Sequence, residues 1–486
     1  MFKRLFVRKP ISRQSFDETG ETHQLKRHLN GFHLILIGIG AIIGAGIFVI
    51  TGQAAADYAG PAVVLSFLIA ASICLFAGLC YAELSSMIPV SGGSYSYSYV
   101  AMGEFPAWIV GWALTAQYLI SASTVAVGWS GYFSSLMEDF GVLLLSSLSN
   151  APVGYSPEAG WHWTGAFLNI PAMLLILVLG VLISVGIRAV AHFNHAMVGI
   201  KLSAILLFIA LGIFYIDPAN WHPLVPSNTG IFGQFGWSGI LRASGLVFFA
   251  YIGFDTVSTL GQDSIRPQRD LPRGILGSLL VCTCAYILTS LVLTGVVSYT
   301  KLGVPDPMSV ALNAMDPKLF WIKLIVKFAI LAGLTSVVLV QLLGQTRIFY
   351  AISGDGLLPP AFSRVHPKTK TPLFTTLIIA LVAMFIAGLF PINVLGQLVS
   401  MTTLFLFTIV CAGVWILRKR HPEFERSFRV PFVPWVPLTG ILACVLQMLF
   451  LPLSTWIQMG LWVALGLAVY FSYGIKKSKI RRNSIK

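Results

Sequence analysis

Residues 38–46 read Gly-Ile-Gly-Ala-Ile-Ile-Gly-Ala-Gly, four glycines in nine positions, in the middle of an apolar stretch from about Phe32 to Ala56. That stretch is long enough to span a bilayer as one helix, since roughly 20 residues at ~1.5 Å each cover the hydrocarbon core. Glycine opposes the helix, at about 1 kcal/mol each relative to alanine. The cluster therefore predicts a helix that unwinds in mid-membrane. Unwound backbone is tolerated at that depth only where protein or a cavity supplies partners for its N–H and C=O groups. A polar ligand can be such a partner, so the segment points to a carrier rather than to a passive anchor.

The rest of the chain agrees with a membrane setting. Of its 486 residues, 56% are hydrophobic and 10% charged, with a mean hydropathy of +0.81; a soluble domain carries about 25% charge. The formal charge of +14 raises the question of nucleic acid. Its placement in the tails and in alternate short loops answers it, because that pattern is a topological signal. Cys74, Cys80, Cys282, Cys284, Cys411 and Cys444 all fall in apolar segments and read as small core residues without disulfides. The first 30 residues are basic and polar and show no cleavable signal pattern.

Apolar runs bounded by Pro, Gly or charge predict twelve spans, near 32–56, 62–88, 105–137, 168–187, 194–216, 239–262, 274–299, 319–352, 372–390, 394–417, 434–452 and 455–474. Those at 105–137 and 319–352 are too long for an upright crossing and should tilt or protrude. With the N-terminus inside, 26 of the 32 Lys and Arg residues fall in the tails and inner connections, Arg347 included, and only Lys301 and Lys318 lie outside. That asymmetry predicts cytoplasmic termini in the cytoplasmic (inner) membrane of a cell. About 210 residues after the first interruption, span 6 carries Phe248-Phe249-Ala250-Tyr251-Ile252-Gly253-Phe254-Asp255-Thr256, with a glycine and an ionisable group near its middle. Five spans separate the two, so the copies have opposite orientation. Broken helices at matching positions of inverted halves mark a midplane binding site.

Four segments carry a resemblance: Gly38–Gly52, Tyr81–Tyr99, Phe248–Thr259 with Pro267–Ile275, and Gly344–Pro359; Phe428–Pro437 is a fifth. Together, in this order and spacing, they resemble permeases of the amino acid–polyamine–organocation superfamily, most of all the cationic amino acid transporter branch. The resemblance implies an all-α polytopic membrane protein with twelve transmembrane helices, a leucine-transporter-type 5+5 inverted repeat plus two extra helices. The expected organisation is a cytoplasmic tail 1–30, repeats 31–216 and 217–417, an appended pair with its preceding loop at 418–474, and a basic tail 475–486.

The expected substrate is an amino acid, carried without a cofactor. Its carboxylate suits the positive helix end that follows the first break. The resemblance assigns it to the backbone of Ala45 and Gly46 beside Gly44. The ammonium goes to the carbonyls of Ile42, Phe249, Ala250 and Ile252, and Phe249 resembles the family's aromatic gate. Lys201 sits about ten residues into span 5, roughly 15 Å from the membrane edge at ~1.5 Å per residue. A charge at that depth costs at least ~2.5 kcal/mol and is functional by default. In proton-dependent members a span 5 lysine stands where sodium-coupled relatives hold sodium, so Lys201 would bridge carbonyls near Gly40 and Ile43 to hydroxyls such as Thr335 or Ser336. A fixed structural cation is the alternative. Asp255 either holds the irregular backbone or faces the pathway. Arg242 reads as an interfacial anchor, and Arg266, Arg269 and Arg347 as inner positioning or gating charges. The histidines lack metal-ligand spacing, and no catalytic constellation appears, so neither a metal site nor an enzyme is expected.

Two departures weaken a dibasic substrate. After span 6 the chain reads Leu260-Gly261-Gln262-Asp263-Ser264, with one acid where the cationic branch often has two, and Gln117 stands where close relatives can have an acidic residue. A small or medium neutral amino acid fits at least as well. Proton-driven uptake, amino acid or polyamine exchange, and a non-transporting sensor are the readings in contention, in that order. A channel would not need paired broken helices.

Overall fold

Apolar runs become helices because backbone in hydrocarbon has to satisfy its own N–H and C=O groups. In the computed structural model, which describes Val7 and residues 29–88, 92–156, 160–185, 187–260, 264–367 and 371–483, eight helices are long and apolar enough to cross a membrane. Four shorter apolar helices accompany them among the described residues. The protein is an all-α polytopic membrane protein. Most of the N-terminal tail, residues 261–263 of the acid-poor stretch and the last three residues of the basic tail lie outside the described residues.

Helices of eight residues or more are numbered in chain order. They are α1 Gly31–Ile42, α2 Val63–Met87, α3 Gly93–Ala101, α4 Glu104–Asp139, α5 Ile170–Val185, α6 Ile187–Gly212, α7 Gly236–Val247, α8 Pro267–Val296, α9 Pro307–Ala314, α10 Phe320–Gly354, α11 Leu373–Leu389, α12 Ile392–Arg420, α13 Trp435–Leu449 and α14 Leu453–Val469. The closest pairings are α4 with α10, α2 with α8, α1 with α8 and α4 with α12; α5 packs on α11, α6 on α10 and α7 on α2. Small residues permit this. A methyl group on Gly344 would fall 2.6 Å from the Tyr118 ring, so the glycine lets α10 approach α4 closely. With 36 and 35 residues, α4 and α10 are about 50 Å long and overhang a hydrocarbon core of ~30 Å even at a steep tilt.

Three local features differ from what the sequence pattern suggests. The Ser/Tyr alternation at Ser94–Tyr99, expected as part of the inner loop between spans 2 and 3, lies in helix α3. Its serines and tyrosines are covered from several sides, with Tyr97 donating to the Ser258 carbonyl (3.1 Å) and Tyr95 to Asp355 (2.7 Å), so the two-residue period marks no exposed face. The connection between α4 and α5 holds a short hairpin, Val153–Ser156 paired antiparallel with Gly160–Trp163, which no alternation announced. All six cysteines are free, as expected, but Cys284 is exposed on the apolar flank of α8 while the others are buried.

Buried carboxylates organise one end of the bundle. Glu83 at the end of α2 holds Arg418 through two hydrogen bonds (2.9 and 2.6 Å), pairs with Arg426 and accepts from the Val430 N–H. Glu104 at the start of α4 takes the Ser478 hydroxyl, Tyr470 (3.0 Å) and Arg481 (2.8 Å), and its own N–H donates to the Val7 carbonyl. Chain that precedes α1 and chain that follows α14 therefore dock at the same end.

Candidate functional site

α1 stops at Ile42. Ile43 adopts an extended ψ of 107°, and helical backbone resumes at Gly46 as a π-helical turn, Gly46–Ile50, leading into Thr51–Ala54 and Ala55–Ala59. The second interruption is of the same kind. α7 tightens into a 3-10 turn at Phe248–Tyr251, opens at Ile252 (ψ 133°) and Gly253, and resumes as the short helix Phe254–Ser258. Two glycines make this possible. Gly253 has φ 122°, and a Cβ there would lie 2.5 Å from the Ala41 carbonyl oxygen; a Cβ on Gly46 would overlap Ala250. The two breaks touch each other, each through a residue without a side chain.

The freed carbonyls are served by side chains from two further helices. Lys201 on α6, fully buried, donates to the carbonyls of Gly40 and Ile43, the latter at 2.9 Å. Its aliphatic stem lies against α10, where a Cβ on Gly333 would come within 2.9 Å of Lys201 Cβ. Thr335 and Ser336 on that helix donate instead to carbonyls of their own turn, those of Leu331 and Gly333 (both 2.8 Å). No hydrogen bond joins them to Lys201 among the described residues. The lysine thus meets its expected carbonyls, while the bridge to the hydroxyls is absent from this conformation.

Tyr286 on α8 is the residue that sequence reasoning missed. Its hydroxyl lies 3.1 Å from the Ile42 carbonyl and 2.7 Å from that of Ala250, one from each break. The phenol has a single proton, so it satisfies one carbonyl at a time. The ring is wedged between Phe67 and Tyr251, with centroids 5.4 and 5.3 Å away. A signal was available, since a tyrosine hydroxyl in the middle of an apolar span has to find a partner.

The remaining candidates fall around the same point. Ala45, Phe249, Ala250, Ile252 and Gln117 are all buried, so the space between the breaks is covered in this conformation. The Phe249 carbonyl accepts from the Ile252 N–H (3.2 Å), closing the 3-10 turn. A Cβ added at Gly44 would come only to about ordinary contact with Val337, at 3.4 Å. Asp255 sits in the first turn of Phe254–Ser258, where its carboxyl faces nearby backbone N–H groups and the Gln117 amide. That geometry braces the irregular backbone. Among the described residues Gln117 Oε1 has no hydrogen-bond partner, although it is buried. Arg242 lies over the Tyr58 ring, 5.3 Å from its centroid, and so fastens α7 to the far end of the first broken segment.

Toward the end of the bundle that carries the hairpin, a recess of about 820 Å³ opens, lined by Gln53 and Asp57 of the first broken segment, by Glu138 and Ser135 of α4, and by Asp306 ahead of α9. Beside it, fully buried Lys327 pairs with Asp139 and donates to Ser135 (3.0 Å). Burial pushes the Asp306 carboxyl from its ordinary 3.8 up to about 6, opposed by hydrogen bonding to Ser135 and the nearby Lys327 ammonium.

Comparison with known proteins gives a consistent answer. The profile of the amino acid permease family matches residues 29–471. The chain is 43% identical over 478 residues to the methylthioribose transporter of Bacillus subtilis (strain 168), covering 98% of this chain and 99% of the relative. It is 40% identical over 479 residues, with the same coverage, to the branched-chain amino acid permease BcaP of that organism. It is 39% identical over 441 residues to cationic amino acid transporter 9, chloroplastic, of Arabidopsis thaliana, covering 90% of this chain and 74% of the relative.

Proposed function

From its membership of the amino acid permease family, a family of transporters rather than enzymes, we infer that this chain carries an L-amino acid across the cytoplasmic membrane by alternating access, driven by protons. One observation carries the reading: two helices lose their coil and meet, Gly46 against Ala250, so that free peptide groups of both converge. A zwitterion would place its carboxylate on the N–H groups of Gly44, Ala45 and Gly46 and its ammonium on the carbonyls of Ile42, Phe249, Ala250 and Ile252. The buried ammonium of Lys201 on Gly40 and Ile43 would couple proton binding to movement of α1. Thr335 and Ser336 stand on the facing helix as its partners in another conformation.

The packing pattern supports twelve crossings with two inverted five-helix repeats. Counting the broken segments as crossings 1 and 6, the pair 1·7 corresponds to 6·2 and the pair 3·10 to 8·5, while 2·7, 3·8 and 4·9 map onto themselves. Contacts that survive exchange of the halves are what a pseudo-two-fold axis produces. The shared docking of both described ends at Glu104, with the basic bias of the tails, supports cytoplasmic termini.

A neutral substrate is favoured, because Gln117 brings an amide rather than a carboxylate to the site and the Asp255 carboxyl beside it already faces that amide. The full-length similarity to a methylthioribose transporter makes that sugar the second reading. Uptake in proteoliposomes decides. Labelled branched-chain, cationic and small neutral amino acids and methylthioribose are presented in turn, with and without an inward proton gradient. Amino acid uptake that rises with the gradient, and loses that rise in Lys201→Met, is the expected result. Gradient-driven uptake that persists in Lys201→Met overturns the coupling, and uptake of methylthioribose alone overturns the substrate.

A further inference from the structure

The polar recess beside Asp306 has an apolar neighbour. A groove of about 620 Å³ runs between α4 and α5 under the loop that follows α4, lined by Trp129, Phe133, Leu145, Leu148, Leu174 and Val178. The rings of Trp129 and Phe133 stack at 4.9 Å and form one wall. Leu143, Leu144 and Ser149 line both spaces, so groove and recess share a rim.

Three properties define what fits. The groove follows α5 from Ile170 to Val178, about 12 Å at ~1.5 Å per residue, close to the depth of one leaflet of a ~30 Å core. Its walls offer almost nothing but apolar side chains, and several of these, such as Leu145 and Leu174, are strongly exposed, as suits a surface that hydrocarbon covers. The recess at its mouth presents the carboxylates of Asp57, Glu138 and Asp306 and includes no lysine or arginine among its described lining residues, the ammonium beside it, Lys327, being buried and paired with Asp139. A chain-like apolar tail below and a positive group above describe an amphiphile of definite polarity.

We propose that the joined groove and recess hold one phospholipid of the adjacent leaflet, an acyl chain along Trp129, Phe133 and Leu174 and a primary-amine headgroup among Asp57, Glu138 and Asp306. An ethanolamine head fits better than a choline head, because three N–H donors can reach the carboxylates and serines of the rim while a trimethylated nitrogen donates none. A glycerol head carries no positive group, which leaves its lipid a net anion that the carboxylates repel. Since Gln53 and Asp57 belong to the first broken segment, the bound head would bear on the approach to the site between the breaks.

The test reads lipid retention and does not depend on transport. Full-length protein is taken from nanodiscs of phosphatidylethanolamine, phosphatidylcholine or phosphatidylglycerol, and retained lipid is counted by native mass spectrometry. One ethanolamine lipid is expected per chain, retained at least fivefold over choline or glycerol lipid. Leu174→Trp, which fills the groove from an exposed position, is expected to lower retention about fivefold. Glu138→Gln, also exposed, is expected to reduce the preference for the amine head while leaving total retention nearly unchanged. Equal retention of all three lipids overturns the headgroup assignment, and undiminished retention in Leu174→Trp overturns the groove. Preference for a free amine such as ethanolamine without any lipid retained would identify a soluble cation as the occupant and also overturn the proposal.

Discussion

Gly46 stands so close to Ala250 that a methyl group on the glycine would overlap the alanine's Cα and Cβ. The backbone of one broken helix is the wall against which the other rests. Gly46→Ala is therefore expected to cost about 1–3 kcal/mol through overpacking and to lower uptake at least tenfold. Gly44→Ala, whose added carbon would meet only the flexible Val337 side chain at 3.4 Å, should retain most of its stability. Thermal unfolding of the two variants, read beside uptake, checks the contrast.

Tyr286→Phe removes the one hydroxyl shared by the Ile42 and Ala250 carbonyls. An unsatisfied buried acceptor costs ~1–3 kcal/mol, so the variant should melt earlier. Substrate that brings an ammonium to those carbonyls should recover part of the loss. The expected signature is a larger ligand-induced rise in Tm than in the parent, together with a lowered KM. An unchanged ligand response would mean that the hydroxyl does not share acceptors with the substrate.

Lys327 is fully buried and its partner Asp139 is mostly covered. Removing one member of such a pair is costly, on the order of 3 kcal/mol, whereas removing both is far milder. Lys327→Met should destabilise strongly, and Lys327→Met with Asp139→Asn should recover much of the difference in denaturation measurements.

For Asp306 the pH dependence has a definite sign. Its folded pKa of about 6 exceeds the ordinary 3.8, so the folded protein binds the proton more tightly. The resulting stabilisation is complete below about pH 4 and is lost as pH rises through about 6. Asp306→Asn should be more stable than the parent at pH 7.5 and should lose that advantage toward pH 4. A Tm difference that does not vary with pH would contradict this.

Both breaks were legible because clustered glycines in the first and a glycine with an ionisable residue in the second violate the propensity of a mid-membrane helix, and such violations are where function is expected. Lys201 was legible for the same reason, since a charge at that depth demands carbonyl partners. What could not be read was which side chains would satisfy the remaining carbonyls. Tyr286 lies in an unbroken apolar run whose period says only that it is a helix, and its rotation toward α1 is decided by packing. The α3 helix was obscured because a two-residue alternation matters only when one face is open to solvent. The hairpin at Val153–Trp163 is too short for periodicity to rise above noise.

The overhang of α4 and α10 has a practical consequence. Rods that outreach the lipid carry the interior's displacements into water, where they can be measured. Glu138 and Trp321 are exposed near helix ends, so spectroscopic labels there would report through a fixed separation that these two form the frame, or through a changing one that the frame itself rocks.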